Sequence, residues 1–157
     1  NKEDLSIFIL RLSNIVGAPL SKDANCWSLI VNDLCRQIIS NKKMIIKNNP
    51  SEMRDFIPMS SLCLSIEKII QSKKVSKDIY NFSSNKSLTI LEVAKKIQNR
   101  CLLILKFSPE IIVKSEETKK LPLLIENKKI LKHINKIDSI IDDEIDKLLI
   151  FCYENQQ

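Results

Sequence analysis

The chain has 157 residues, of which 44% are hydrophobic and 28% are charged. These values are typical of one globular domain with a core and not of a disordered chain. No apolar run approaches the roughly 20 residues that a membrane-spanning helix needs, and the first run is too short for a signal peptide, so we expect neither membrane insertion nor secretion. The single glycine excludes a complete dinucleotide-binding turn or P-loop, since both need several glycines.

The lysines give the chain a net charge of +6 and a pI of about 9.1. They occur as scattered pairs interleaved with acidic residues, a pattern typical of solvated helix faces rather than of a stripe that binds nucleic acid. We therefore expect no nucleic-acid partner. A basic nucleic-acid-binding domain is a weaker hypothesis, and it predicts nucleic-acid binding that weakens steeply as the salt concentration rises.

Five cysteines are spread along the chain without a C-x-x-C pair, and there is a single histidine, His133. This pattern does not supply the clustered ligands of a zinc site, and the odd number does not suit a disulfide framework. We expect the cysteines to be small core residues in a protein of the reducing cytoplasm.

The first predicted elements are a strand, a helix and a second strand. Leu5 to Leu12 is a continuous apolar run, typical of a buried strand in a parallel sheet. A glycine and a proline follow and end it. Trp27 to Ser40 has apolar residues at a helical period, and Met44 to Ile46 is a short strand.

The middle of the chain continues with an extended piece and a helix. Arg54 to Ile57 is extended and is stopped by Pro58. A helix follows to about Gln71, with Ser60 or Ser61 as its expected N-cap. The apolar positions expected on one face of this helix are Leu62, Ile66, Ile69 and Ile70.

The second half begins with a predicted strand from Asp78 to Phe82. A polar turn leads to a helix that runs to about Arg100, in which Thr89 and Glu92 form a capping box. The remaining predicted elements are extended pieces at 102–106 and 111–114 and helices at 127–133 and 142–153. Strands and helices alternate, so the predicted class is α/β, in a single portion spanning residues 1–157.

Three sequence blocks carry a resemblance to a known family. They are Arg11 to Pro19 (RLSNIVGAP), Arg54 to Ile57 (RDFI), and the segment from Ile79 through a polar turn to Ile90. Their order and spacing resemble those of extended short-chain dehydrogenases, the NAD-dependent epimerases and dehydratases of nucleotide-sugars. The resemblance covers essentially the whole chain and places it in the C-terminal, substrate-binding half. One stretch, from Asn25 to Gln37, is similar to a subgroup that occurs with surface-polysaccharide genes.

The resemblance implies strands that complete a Rossmann-like sheet, together with a small α/β substrate-binding subdomain. It also implies a complete enzyme of roughly twice this length, whose N-terminal half binds NAD or NADP and carries a Tyr-x-x-x-Lys pair. Neither Tyr80 nor Tyr153 has a lysine four residues later. We therefore expect no catalytic, cofactor-binding or metal-binding residue here. The implied partners are a nucleotide-sugar, the missing N-terminal half and a second copy in a homodimer.

By the same resemblance, Asn14 and Arg54 contact the substrate near its diphosphate. The Asn14 amide can donate a hydrogen bond, and the alternative is a loop asparagine that holds its own backbone turn. Arg54 can make a charge-assisted and bidentate contact. Its alternative is an exposed ion pair with Glu52 or Asp55, which stabilises little. Asp55 itself is expected to be structural.

Four further residues complete the expected substrate site. Ile45 and Lys47 lie on the strand whose backbone the family uses to bind the base. Asn25 and Trp27 are candidates to line the sugar or base pocket, and half-buried helix packing is the alternative for Trp27.

The sequence departs from the family pattern at two places. The histidine and aspartate that follow RDFI are replaced by a stretch from Pro58 to Ser61, in which a serine cap is expected to take over the role of the aspartate. The later arginine of an R-x-G-D segment is absent, with only Lys119-Lys120 nearby.

These observations predict part of an NAD(P)-dependent epimerase, dehydratase or reductase that acts on a nucleotide-linked sugar. This chain is expected to bind the substrate and to be inactive by itself. The alternative is a non-catalytic nucleotide-sugar-binding or interaction module without the cofactor half. The chain begins with Asn1 and not with methionine, which suggests a fragment, a trimmed chain or further residues upstream. Because the strands would leave sheet edges exposed, we expect the piece to self-associate or to belong to a longer chain.

Overall fold

The computed structural model describes residues 7–72, 78–116 and 123–155. The strands in these ranges are β1 (Phe8–Leu12), β2 (Asn14–Val16), β3 (Lys43–Ile46), β4 (Met53–Pro58), β5 (Asp78–Phe82), β6 (Ser87–Thr89) and β7 (Glu110–Val113). The helices are α1 (Ile30–Asn41), α2 (Met59–Gln71), α3 (Ile90–Leu105) and α4 (Asp142–Glu154), with a short 3₁₀ turn, Ile130–Lys132. The predicted α/β class is confirmed.

The strands form three small sheets from partners that are distant in sequence. β1 pairs parallel with β5, in a register that runs from Phe8 opposite Asp78 to Leu12 opposite Phe82. β2 pairs parallel with β4, and β4 pairs antiparallel with β6. β3 pairs parallel with β7. Parallel pairing requires long crossovers, and the helices α1 and α2 lie in those crossovers.

Two apolar clusters stabilise these sheets. The larger cluster packs α1, α3 and α4 against β3, and its fully buried members include Leu34, Ile38, Met44, Ile97 and Leu148. The smaller cluster joins β4, β5, α2 and the segment that begins at the 3₁₀ turn. Its buried members include Ile57, Leu62, Ile69, Tyr80, Phe82, Ile130 and Ile134. Burial of such side chains contributes about 1.5–3 kcal/mol each.

Helices α3 and α4 are also joined by two ion pairs. Arg100 makes a bidentate contact, because its Nε and Nη2 atoms donate to the two carboxylate oxygens of Asp146. Lys96 binds Asp142 at 3.0 Å. Because these pairs are only partly exposed and one is bidentate, they define the orientation of α4 better than isolated surface pairs would.

The capping box at the start of α3 is confirmed. The Glu92 backbone N–H donates to the Thr89 hydroxyl at 3.1 Å, and the Thr89 backbone N–H donates to the Glu92 carboxylate at 2.7 Å. The extended piece predicted at 102–106 is wrong, because α3 continues to Leu105 and ends at Lys106 in the left-handed conformation (φ 62°). Leucine is a good helix former, so an apolar leucine run continues the helix as readily as it forms a strand.

The serine N-cap predicted for α2 is also wrong. The Ser60 backbone N–H instead donates to the carboxylate of Glu144 on α4, at 3.2 Å. The hydroxyl of Ser61 accepts a hydrogen bond from the Asp138 backbone at 3.0 Å. Glu144 is only 4% exposed, so the helix N-terminus receives a buried negative charge from a distant element.

The first strand is shorter and less buried than its apolar sequence suggests. Leu5 and Ser6 lie outside the described residues, and Ile9 and Leu12 of β1 are exposed. The predicted buried strand is therefore wrong in its burial. On α2, Leu62 and Ile69 of the predicted apolar face are buried, whereas Ile66 and Ile70 are exposed. Leu12, Ile66 and Ile70 are exposed because they line an open cleft between β1 and α2.

The remaining helix predictions differ only in extent. The predicted helix at 127–133 is reduced to the 3₁₀ turn, and α1 begins three residues later than predicted. Three cysteines are buried in the core as predicted, namely Cys35, Cys101 and Cys152. Cys63 is exposed on α2, so the core prediction is wrong for that residue.

Candidate functional site

The candidate site is built around Asp55, a fully buried carboxylate on β4. It accepts hydrogen bonds from the Ser13 hydroxyl (2.5 Å), the Ser84 backbone (2.9 Å), the Ser84 hydroxyl (2.8 Å) and the Lys86 backbone (3.2 Å). These donors belong to the β1–β2 junction and to the turn between β5 and β6. Asp55 therefore ties three segments together and places the residues on either side of it, which agrees with the structural role expected for it.

Asn14 begins β2 and directly follows Ser13, whose hydroxyl donates to Asp55. Its side-chain amide donates to the backbone carbonyl of Asp55 at 2.9 Å. In the β2–β4 ladder Asn14 lies opposite Phe56. The amide thus binds the neighbouring strand and not its own turn. The residue that it binds, Asp55, directly follows Arg54 on β4.

Arg54 is paired with Glu52, as the alternative interpretation anticipated. Its Nε and Nη2 atoms both donate to one carboxylate oxygen, at 3.0 and 2.8 Å. The two side chains are 35% and 40% exposed, so solvent screens the pair and it contributes little to stability. A ligand with more negative charge than one carboxylate can therefore compete for this guanidinium.

The backbone of Ile45, expected to bind a base, is occupied by a side chain of α1. The Gln37 carboxamide oxygen accepts from the Ile45 N–H at 2.7 Å, and the Gln37 amide nitrogen donates to Asp33 at 2.7 Å. Gln37 was not among the site residues predicted from the sequence. Lys47 follows β3 and is exposed.

Trp27 lies apart from Asn14 and Arg54. Its ring stacks on Phe151 of α4 with centroids 6.3 Å apart, and the Arg36 guanidinium lies 5.5 Å from its centroid. Together with α1 and α4 it lines a cleft of about 300 Å³ to which neither Asn14 nor Arg54 contributes. The structure therefore brings Asn14 and Arg54 together and separates Trp27 from them.

Three further residues named from the sequence lie elsewhere. Asn25 is exposed in the loop that precedes Trp27. Lys119 and Lys120, noted near the absent R-x-G-D arginine, lie outside the described residues. Over the described ranges no group of three His, Cys, Asp or Glu side chains is placed to hold a metal ion. Within the same ranges no helix is both long and apolar enough to cross a membrane.

Comparison with solved structures shows which known fold this architecture shares. RMD from Pseudomonas aeruginosa, solved with NADPH, matches with a TM-score of 0.76 and 14% identity, over 99% of this chain and 51% of that chain. UDP-N-acetylglucosamine 4-epimerase from Methanobrevibacter ruminantium M1, solved with UDP-N-acetylmuramic acid, matches with a TM-score of 0.72 and 17% identity, over 97% and 47%. The UDP-N-acetylglucosamine 4-epimerase from Bacillus cereus matches with a TM-score of 0.72 and 18% identity, over 99% and 48%.

The fold is thus shared with about half of each of these solved structures, as the sequence resemblance to extended short-chain dehydrogenases implies. The chain spans about half the length of these solved structures. No protein-family model matches the sequence, and no curated protein matches it.

Proposed function

We propose that this chain is the nucleotide-sugar-binding part of an NAD(P)-dependent epimerase, dehydratase or reductase. The observation that supports this most directly is the arrangement around Asp55. A buried carboxylate with four hydrogen bonds holds β4 in place, and beside it stands the loosely paired guanidinium of Arg54. A rigid backbone that presents a displaceable cation suits a ligand with two negative phosphates.

In this proposal the substrate diphosphate takes the place of Glu52 on Arg54. The guanidinium offers two parallel N–H donors, and a phosphate accepts them with the bidentate geometry that a lysine lacks. Asn14 supports the same strand by donating to the Asp55 carbonyl. The chain's residues bind and orient the substrate and carry no proton transfer.

NAD or NADP belongs to the half of the enzyme that lies outside these residues. When bound there, it would supply hydride transfer at a sugar carbon, with the tyrosine that the resemblance implies for that half as acid and base. We place the complete protein in the cytoplasm, as a homodimer that serves polysaccharide biosynthesis. The five unpaired cysteines support a reducing compartment.

Calorimetric titration of the complete gene product with UDP-, dTDP- and GDP-sugars tests the proposal. Arg54→Ala is expected to weaken binding about tenfold or more, because a charge-assisted contact is lost. Glu52→Gln is expected to strengthen binding, because it releases the guanidinium. The control is Lys128→Ala, which breaks a surface pair with Glu126 at the same two-residue spacing and should leave affinity unchanged.

If no nucleotide-sugar binds, or if Arg54→Ala and Lys128→Ala have equal effects, the proposed role of Arg54 is wrong.

A second candidate function is a nucleotide-sugar-binding or interaction module without catalysis. The bond between Gln37 and the Ile45 N–H favours the interaction module, since it occupies a backbone group that the resemblance implies for binding the base. The two functions differ in redox chemistry. Reduction of NAD during turnover of a nucleotide-sugar by the complete gene product would exclude the module.

A further inference from the structure

The cleft lined by Trp27, Arg36 and Phe151, called the Trp27 cleft, is a concave surface apart from the proposed diphosphate site. It has a volume of about 300 Å³ and lies between α1, α4 and the loop that precedes α1. Neither Asn14 nor Arg54 lines it. A ligand in the Trp27 cleft therefore occupies a site of its own.

One wall of the Trp27 cleft is apolar and aromatic. Trp27 and Phe151 stack with their ring planes at 28° to each other, and both side chains are half-buried. The indole is fixed in place, because its N–H donates to the Lys22 carbonyl at 3.2 Å. Ile39 and Cys152 line the same cleft and are buried. This wall suits a ligand with a flat apolar body, since ring contacts add to the gain from burying apolar area.

The other side of the Trp27 cleft is charged. Lys22 and Arg36 bring two positive charges to it, and Asp23 brings one negative charge. All three residues are exposed. One positive charge is thus left in excess, and a single carboxylate on a ligand neutralises it, whereas a doubly charged phosphate overcompensates it.

The Arg36 guanidinium is weakly held and can bind an anion. Its ion pair with Asp33 has a separation of 3.5 Å, and the arginine side chain is 52% exposed. Solvent screens such a pair, so it stabilises little. The guanidinium also lies 5.5 Å from the centroid of the Trp27 ring, which keeps the cation beside the aromatic wall. A carboxylate accepts two parallel N–H donors from a guanidinium, and this contact is stronger than a neutral hydrogen bond.

We propose that the Trp27 cleft binds a small monocarboxylate with an aromatic body. The carboxylate of the ligand binds Arg36, and its ring packs against Trp27, Phe151 and Ile39. The site is independent of the nucleotide-sugar site, so binding of the carboxylate does not require a nucleotide-sugar or the cofactor.

Calorimetric titration of the complete gene product with 3-phenylpropionate tests the charge requirement of the site. The matched control ligand is 3-phenylpropionamide, which has the same ring and chain without the negative charge. We expect saturable binding of the carboxylate at one molecule per chain. Binding of the amide is expected to be about tenfold weaker or more, because the charge-assisted contact with Arg36 is lost.

Two variants assign that contact to Arg36. Arg36→Gln is expected to weaken binding of 3-phenylpropionate about tenfold and to leave binding of the amide unchanged. The control is Lys95→Gln, which removes one positive charge from an exposed position on α3 that does not line the cleft. It should leave the affinity for both ligands unchanged.

Fluorine NMR of the protein labelled with 5-fluorotryptophan locates the ligand. Trp27 is the only tryptophan of these 157 residues, and the loss of its resonance in Trp27→Phe assigns the signal in the complete gene product. We expect 3-phenylpropionate to shift this resonance. The proposal is overturned if the acid does not bind saturably, if acid and amide bind equally, or if the Trp27 resonance does not shift. Equal effects of Arg36→Gln and Lys95→Gln would overturn it as well.

Discussion

Gln37 is the residue whose position most changes the expectation for the base site. Its carboxamide bridges Asp33 on its own helix and the Ile45 N–H on β3. A base that binds this backbone must first displace the Gln37 oxygen, and that displacement costs a hydrogen bond of about 0.5–1.5 kcal/mol.

Gln37→Ala is therefore expected to raise nucleotide-sugar affinity by up to about tenfold, since 1.4 kcal/mol corresponds to a factor of ten. Calorimetric titration of the complete gene product with the best UDP-, dTDP- or GDP-sugar checks this. Gln98→Ala is the control, because Gln98 is another half-buried helix glutamine that binds a backbone group, the Pro109 carbonyl at 2.7 Å. A drop in affinity with Gln37→Ala would show that Gln37 contacts the ligand instead of competing with it.

Asp55 supports the site by holding its backbone. Asp55→Ala removes the acceptor from two backbone N–H groups and two hydroxyls, of which those on Ser84 are buried. We expect a loss of about 2–3 kcal/mol in the free energy of unfolding, because buried donors without a partner carry their desolvation cost. Urea denaturation measures it, with the exposed Asp23→Ala as control. A loss no larger than that of the control would contradict the structural role.

Asn14, Arg54 and Asp55 could be named as candidates from the sequence because they stand in short blocks that resemble a family. Gln37 could not be named, because the bond from Gln37 to Ile45 depends on how α1 packs against β3. Trp27 was grouped with Arg54, whereas the packing of α1 on α4 places the indole in another cleft. Contacts between elements, unlike motifs within one segment, leave no local pattern.

At the scale of elements, the start of α2 shows the same limit. A serine stood at the right place for an N-cap, but the Ser60 N–H is bound by Glu144, 84 residues away in sequence. Glu144→Gln is expected to lower the free energy of unfolding by about 1 kcal/mol, because the carboxylate favours a helix N-terminus and the amide is a weaker partner.

Chemical denaturation of Glu144→Gln beside Asp143→Asn tests that contact. Glu144 also pairs with the exposed Lys147 at 3.4 Å, and solvent screening makes that pair a small part of the difference. Both acids lie in the first turn of α4, so both substitutions weaken the interaction with the α4 dipole. Only Glu144 also binds α2. Equal losses for the two variants would show that the contact with Ser60 contributes nothing.

Strands and helices were predicted best where periodicity and capping agree. The capping box of α3 and the strand from Asp78 to Phe82 are confirmed. The leucine run after Cys101 was assigned as extended because an apolar run fits either a strand or a helix. Its helical continuation depends on the packing of Cys101 and Ile97 in the core.

At the scale of the whole molecule, the buried thiols make stability depend on pH. Burial raises the pKa of Cys101 and of Cys152 to about 11, from an ordinary value of 9.0. Above pH 9 the unfolded chain releases these thiol protons while the folded chain keeps them. The release lowers the free energy of the unfolded state relative to the folded state. The free energy of unfolding is expected to fall as the pH rises from 9 to 11.

Urea denaturation between pH 9 and 11 measures how steeply the free energy of unfolding falls with pH. The double variant Cys101→Ala and Cys152→Ala is the control. The control is less stable throughout, because it loses packing, but its slope should be shallower. An equal slope in both proteins would contradict the assignment to these thiols. In the native state, iodoacetamide should modify the exposed Cys63 first.

The α/β class was predictable because alternating periodicity encodes it locally. The resemblance already implies that the strand from Leu5 to Leu12 leaves a sheet edge exposed. The exposure of Ile9 and Leu12 was not predictable from the run itself, because its composition is the same whether a neighbouring element is present or not. A sequence can show that a strand prefers to be buried, and only the structure shows that the described chain does not bury it.

The central claim is that these residues are the substrate half of a larger enzyme. The intact mass of the native gene product, measured by mass spectrometry, tests it most directly. The account predicts a mass near twice the 18.1 kDa of this chain, with the cofactor-binding half in the same polypeptide. A mass near 18.1 kDa would contradict the single-chain enzyme and would favour the non-catalytic binding module.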